Sequence, residues 1–80
     1  MIEDIDVKAK AVAYIKQHKL DEPFKKSVLK LLAGNNAGLD LKKRQPKSDD
    51  IWSFRITKKY RAFARKRGAV LTVYAIDDHQ

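Results

Sequence analysis

Two arginines, Arg55 and Arg61, lie in segments whose apolar residues alternate, and a histidine, His79, is the second residue from the C-terminus. A guanidinium presents paired N–H donors in a planar fork that matches a phosphate. An imidazole titrates near neutrality and so serves as general acid or base at cellular pH. Residues of these types suit cleavage of RNA, whose 2′-OH is a built-in nucleophile beside the phosphate. Such an enzyme must take the 2′-OH proton, stabilise charge on the phosphoryl oxygens and protonate the departing 5′-oxygen. No residue announces itself as the general base. His18, beside Lys19, reads as a helix-end surface residue. No His–His spacing, carboxylate cluster or Gly-rich phosphate loop points to a metal or nucleotide site, and the chemistry calls for no cofactor. The plainer readings are a polar cross-strand surface for Arg55 and Arg61, paired with Asp49 or Asp50, and an idle chain end for His79.

The elements that must position these residues follow from periodicity. Val7, Ala11, Tyr14 and Ile15 predict an amphipathic helix over 7–18. Asp21-Glu22-Pro23 is a helix-start signal with a capping carboxylate, and Phe24, Val28, Leu31 and Leu32 form a second apolar stripe. Gly34-Asn35-Asn36 stops that helix, so the two helices form an antiparallel hairpin. Beyond Gly38 the period becomes two. Leu39 and Leu41 alternate with Asp40 and Lys42 in a short strand, and residues 45–50 form a polar loop. Trp52, Phe54 and Ile56 mark the next strand, followed by Tyr60–Lys66 and Ala69–Ile76 joined at Arg67-Gly68. Before the first helix only Met1–Asp6 is available, so an N-terminal strand is short or absent. The expected fold is α+β, a helical hairpin on one face of a three- to four-stranded antiparallel sheet.

Register decides which way the arginines point. A two-residue turn at Lys58-Lys59 would set Ile56 across from Arg61 and send Arg55 to the opposite face. A three-residue loop, Thr57 to Lys59, pairs Ile56 with Tyr60 and Arg55 with Arg61. The second choice separates Arg55, Arg61 and Arg65 from the apolar set, so burial favours it. Lys58-Lys59 also lacks the Gly or Asn that tight primed turns prefer. Phe63 then stands half-exposed among arginines, placed to stack on a base.

Eighty residues make one domain, 1–80, and the absence of cysteine excludes disulfides and thiolate metal sites. The acidic start, Met1-Ile2-Glu3-Asp4, lacks a signal-peptide pattern, and no apolar run approaches a membrane span, so a soluble cytoplasmic protein is expected. The net charge of +8 is unevenly spread. Residues 42–67 hold eleven Lys or Arg against Asp49 and Asp50, whereas residues 1–41 hold seven Lys against six acids. So dense a single-sign field in the strand-forming third stores self-repulsion unless it meets a polyanion, which argues for a nucleic-acid partner over a merely solubilising surface.

Trp52-Ser53-Phe54-Arg55-Ile56, a short polar turn, Tyr60-Arg61 and an aliphatic last strand ending in His79 together resemble the RelE/ParE toxin superfamily. Within it the likeness is to the YoeB and HigB type of mRNA interferase. The motifs cover residues 38–80, starting from Gly38-Leu39-Asp40-Leu41-Lys42-Lys43; residues 7–35 match only as a helical hairpin. The resemblance implies a toxin neutralised by a cognate antitoxin and cleaving mRNA in the ribosomal A site without a metal. Carried over by position, Arg61 would stabilise the phosphate, Arg55 would bind or orient the RNA backbone, and His79 would be the general acid or base. Lys42, Lys43, Arg44, Lys58, Lys59 and Arg65 would contact mRNA or ribosomal RNA. The carboxylate that is a base candidate in the family has no clear match, Asp40 being the nearest. The superfamily also holds ParE-like gyrase poisons that share the fold without nuclease chemistry, and a non-catalytic RNA-binding module is the third reading.

Overall fold

A computed structural model describes residues 2–35, 38–44 and 50–78. Chain order is β1 (Asp4–Val7), α1 (Ala9–Gln17), α2 (Asp21–Leu32), β2 (Lys42–Lys43), β3 (Ile51–Arg55), β4 (Tyr60–Arg67) and β5 (Val70–Asp78). The strands form one sheet in the order β1-β5-β4-β3-β2. The α+β class and the helical hairpin are as expected, and the sheet gains an edge strand. β1 pairs in parallel with β5, Ile5 against Leu71 and Val7 against Val73. Val7 fits either period, as the first residue of a helical stripe or the last of the alternating Asp4-Ile5-Asp6-Val7. The backbone partners offered by β5 decide for the strand, and α1 begins two residues later.

The core lies between the helices and one face of the sheet. Ala11, Ile15, Leu20 and Leu31 meet Phe54, Ala62, Ala64, Leu71, Val73 and Ile76, all buried. Phe24 packs its ring 6.3 Å from that of Phe54. Contrary to expectation, Asp21 does not cap α2. Leu20 occupies the cap without a side-chain bond, and Asp21 and Glu22 stand in the first turn, where their charge complements the helix dipole. Gly34, at φ +74, ends the helix as its sequence foretold.

The β3–β4 connection is the three-residue loop. Ile56 N–H donates to Tyr60 O at 2.9 Å, and the Thr57 hydroxyl accepts from the N–H groups of Lys59 and Tyr60. Arg55 therefore pairs with Arg61, and Ser53 with Phe63. On β5 the register shifts opposite Phe63 and Ala64, which pair with Ala75 and Val73. Tyr74 is the extra residue of this bulge. It lets both Val73 and Ile76 face the core and turns Ala75 and Asp77 toward the face that carries Phe63 and Arg61.

The predicted strand at 39–42 is displaced. β2 contains only Lys42 and Lys43; Gly38-Leu39 forms a turn, and Asp40 after it stands at φ +49. Asp is among the few residues that tolerate this left-handed conformation. Arg55 N–H donates to Leu39 O at 2.6 Å, and Arg55 O accepts from Ser27 Oγ at 2.9 Å. The backbone of Arg55 is thus held by both the turn and α2.

Candidate active site

On the sheet face away from the helices, where the 39–44 segment runs along the edge of β3, lies a cleft of about 180 Å³. Asp40, Lys42, Arg44, Arg55, Lys58, Arg61 and Phe63 line it. Five of the cations proposed from sequence (Lys42, Arg44, Arg55, Lys58 and Arg61) converge here, around one carboxylate. Three features deliver four of them: the pairing with Ser53 brings Lys42, the β3–β4 register brings Arg55 and Arg61, and the three-residue loop brings Lys58. Arg44 stands over the Phe63 ring, its guanidinium carbon 5.7 Å from the centroid, a cation–π contact that leaves the ring half-buried beside the cleft.

Arg61 forms the floor. It is only 6% exposed. Its Nη1 donates to Asp40 Oδ2 at 2.9 Å, and its Nη2 donates to Asp40 O at 2.8 Å and to Ser53 Oγ at 2.9 Å. Asp40 Oδ2 also lies 3.5 Å from Lys42 Nζ and 3.9 Å from Arg55 Nη2. One carboxylate therefore answers three cations, and the cleft keeps a net positive field. The expected pair of guanidiniums is realised in direction but not in availability. The Arg55 side chain is 45% exposed, whereas Arg61 has both terminal nitrogens engaged. The expected partner, Asp49 or Asp50, is replaced by Asp40: Asp50 binds Lys43 Nζ at 3.1 Å, and Asp49 lies outside the described residues.

Partial desolvation pushes the Asp40 pKa up, but Lys42 and the Arg61 hydrogen bond and charge outweigh it and hold the carboxyl below its ordinary value. Asp40 is thus a stronger acid when folded. Its contacts stabilise the fold above the unfolded value of about 3.9, and that contribution disappears as pH falls through the lower folded value. Asp40→Asn is expected to flatten the acid limb of a plot of thermal midpoint against pH; an unaltered limb would show that Asp40 does not set it.

The other proposed residues lie elsewhere. Lys43 pairs with Trp52, stands 5.9 Å from its ring, and bonds Asp50. Lys59 lies 5.6 Å from the Tyr60 ring and 3.7 Å from Asp78 Oδ2. Neither lines the cleft. Arg65 follows Phe63 on the same strand face but lines a separate pocket. His79 lies outside the described residues; β5 runs to Asp78, with Asp77 opposite Arg61. His18 stacks on Tyr14 at 4.1 Å and has its Nδ1 3.3 Å from the Tyr60 hydroxyl. Tyr60 belongs to the helix-covered face, so His18 is removed from the cleft. Sequence reasoning assigned no role to Ser53, which is fully buried and receives the third Arg61 bond. Its place between Trp52 and Phe54 on the arginine face was the available signal. Among the described residues no group of His, Asp or Glu is arranged to hold a metal ion, and no helix is long and apolar enough to cross a membrane.

No protein-family model and no curated protein matches the chain. Among solved structures it is similar to the crystal structure of YafQ from E. coli strain BL21(DE3). The TM-score is 0.65 at 14% identity, covering 95% of this chain and 92% of that one. At this identity the likeness is one of fold, and the fold is RelE-like.

Proposed function

We propose that this chain is the toxin of a toxin–antitoxin pair and an endoribonuclease that cleaves mRNA, acting in the ribosomal A site. The observation that carries the reading is the convergence of five cations on one small cleft, with a half-buried aromatic at its edge, in a RelE-like fold shared with YafQ, an mRNA interferase toxin. Arg55, the exposed guanidinium, takes the scissile phosphate with Lys58, Lys42 and Arg44 around it, while Phe63 offers a face to a base. Arg61 stabilises charge on the phosphoryl oxygens from below, and the phosphate competes with Asp40 for its donors. His79 is the general acid or base. Asp40 is ionised at neutral pH and a weak base for the 2′-OH proton, because its cationic neighbours stabilise its charge.

The partner is a cognate antitoxin, which by complementarity is acidic where it covers residues 42–67 or displaces part of the active site with a segment of its own. A co-purifying partner that leaves all of these cations exposed would contradict that. The decisive assay adds the protein to a translating extract, with a ribosome-free control, and maps cuts on a defined mRNA by primer extension. Cuts that need ribosomes and vanish in Arg55→Ala are expected. The engagement of Arg61 by Asp40 favours one other reading, a gyrase-inhibiting toxin without nuclease activity. Blocked growth with DNA damage and intact mRNA would establish it in place of the first.

A further inference from the structure

The sheet face that holds the cleft continues beyond it. At the far end of β4 lies a second pocket, of about 410 Å³, lined by Lys8, Arg65, Arg67, Thr72 and Tyr74. Its parts come from three elements. Arg65 and Arg67 alternate down the β4 face that begins with Arg61 and Phe63. Thr72 pairs with Arg65. Tyr74 is the bulge residue of β5, and Lys8 follows β1, fixed by its N–H donating to Val73 O at 2.9 Å.

Two features of this pocket suit an anionic ligand. None of its three cations joins an ion pair among the described residues, which is also true of Arg44 and Lys58 in the cleft, whereas Lys42, Lys43, Lys59, Arg55 and Arg61 are all paired. Three unpaired positive groups around one concavity repel each other and gain most from an anion. Tyr74 is 37% exposed, a large aromatic at the wall of a basic pocket. Cations that track a backbone, with an aromatic on which a base stacks, are the means by which proteins hold single-stranded nucleic acid.

We infer that Lys8, Arg65, Arg67, Thr72 and Tyr74 form a second RNA subsite, which grips the same strand a few nucleotides from the cleft. This rests on the RNA-cleaving reading and adds to it where the strand runs. Arg61 and Arg67 are six residues apart on one strand, roughly 20 Å, with Phe63 and Arg65 between them on the same face. The spacing suits a single strand crossing β4 lengthwise, a phosphate at each end and a base over Tyr74. An acidic protein segment would satisfy the cations but would make no use of the aromatic ring or of continuity with the cleft.

The test is fluorescence anisotropy with labelled single-stranded RNA of about 4 and about 10 nucleotides, with a polyglutamate peptide as a third probe. The chain should bind the longer RNA at least tenfold more tightly. The double variant Arg67→Ala/Tyr74→Ala should lose that increment and keep its affinity for the short RNA. Its salt dependence on the long RNA should be shallower by about 0.7 in log–log slope, for the one phosphate contact removed. Both side chains are exposed, so its thermal midpoint should stay near that of the parent; if it falls sharply, Arg67→Glu and Tyr74→Ser separately carry the test. Equal affinity for the two lengths, or an increment that survives in the variants, overturns the second subsite while leaving the cleft intact. Binding of neither RNA overturns the RNA reading with it. Polyglutamate binding that the variants abolish, without a length increment for RNA, assigns the pocket to an acidic protein partner instead.

Discussion

Replacing Arg61 by alanine is expected to abolish RNA cleavage and to destabilise the protein at the same time. The guanidinium is buried and makes three hydrogen bonds, two to Asp40 and one to Ser53. Its loss leaves the Ser53 hydroxyl, itself fully buried, without that partner, and releases the Asp40 turn from the sheet. Breaking a buried ion pair from one side costs about 3–5 kcal/mol; partial exposure of the Asp40 carboxylate places this case toward the lower end. An 80-residue domain has a total stability of roughly 4–12 kcal/mol, so the fraction lost is large. For a domain this small each kcal/mol is worth about 4–8 °C, and the thermal midpoint should drop by at least ~10 °C. Arg61→Lys keeps the charge but cannot make three bonds in a fork, and should fall between the two. A midpoint for Arg61→Ala within about 3 °C of the parent would refute the floor role, since such a shift is under 1 kcal/mol. The contrast with Arg55→Ala is the useful one: Arg55 is held through its backbone and its side chain is exposed, so that variant should lose cleavage with little change in stability.

His79→Ala is expected to lower the cleavage rate on ribosome-bound mRNA by about 10²–10⁴, the usual contribution of a general acid or base. The fold should be unaffected, because β5 is registered on β4 and β1 by residues 70–78. His18→Ala is the matched control. His18 engages Tyr14 and Tyr60 on the helix-covered side, so its removal should leave cleavage within about twofold while trimming stability slightly, as expected for an exposed contact. If His18→Ala and His79→Ala had the same effect on the rate, neither histidine could be placed in the chemistry by position, and the acid–base role would have to pass to another group.

Both expectations start from residues that were visible in the sequence, yet the contact that distinguishes Arg61 from Arg55 was not. The β3–β4 register was legible because the wrong one would have put an arginine on the apolar face beside Phe54 and Ile56. That penalty is local and large, so alternation and loop chemistry agree. The helical hairpin was legible for the same reason, in a 3.6-residue period punctuated by Pro23 and Gly34. The basic third of the chain declared itself through composition. Where the reading slipped, the signal was short or ambiguous. Val7 satisfied two periods at once, and Leu39-Asp40-Leu41-Lys42 alternated as a strand does although Leu39 lies in a turn and Asp40 takes a left-handed φ.

What the sequence by itself determined was therefore the class of fold, the facing of Arg55 and Arg61, and the sign of the surface they occupy. Burial of apolar side chains dictates each of these over a few neighbouring residues. The tertiary structure decided which charges meet. Asp40 reaches Arg61 across 21 residues of chain, and no local pattern prefers it to Asp49 or Asp50. Lys42 rather than Lys43 enters the cleft because β3 sets the face of a two-residue strand. The bulge at Tyr74 swaps the faces of the last strand and places an aromatic beside Arg67. Such choices rest on long-range backbone pairing and on the desolvation of one guanidinium, energies that exist only once the chain has closed on itself.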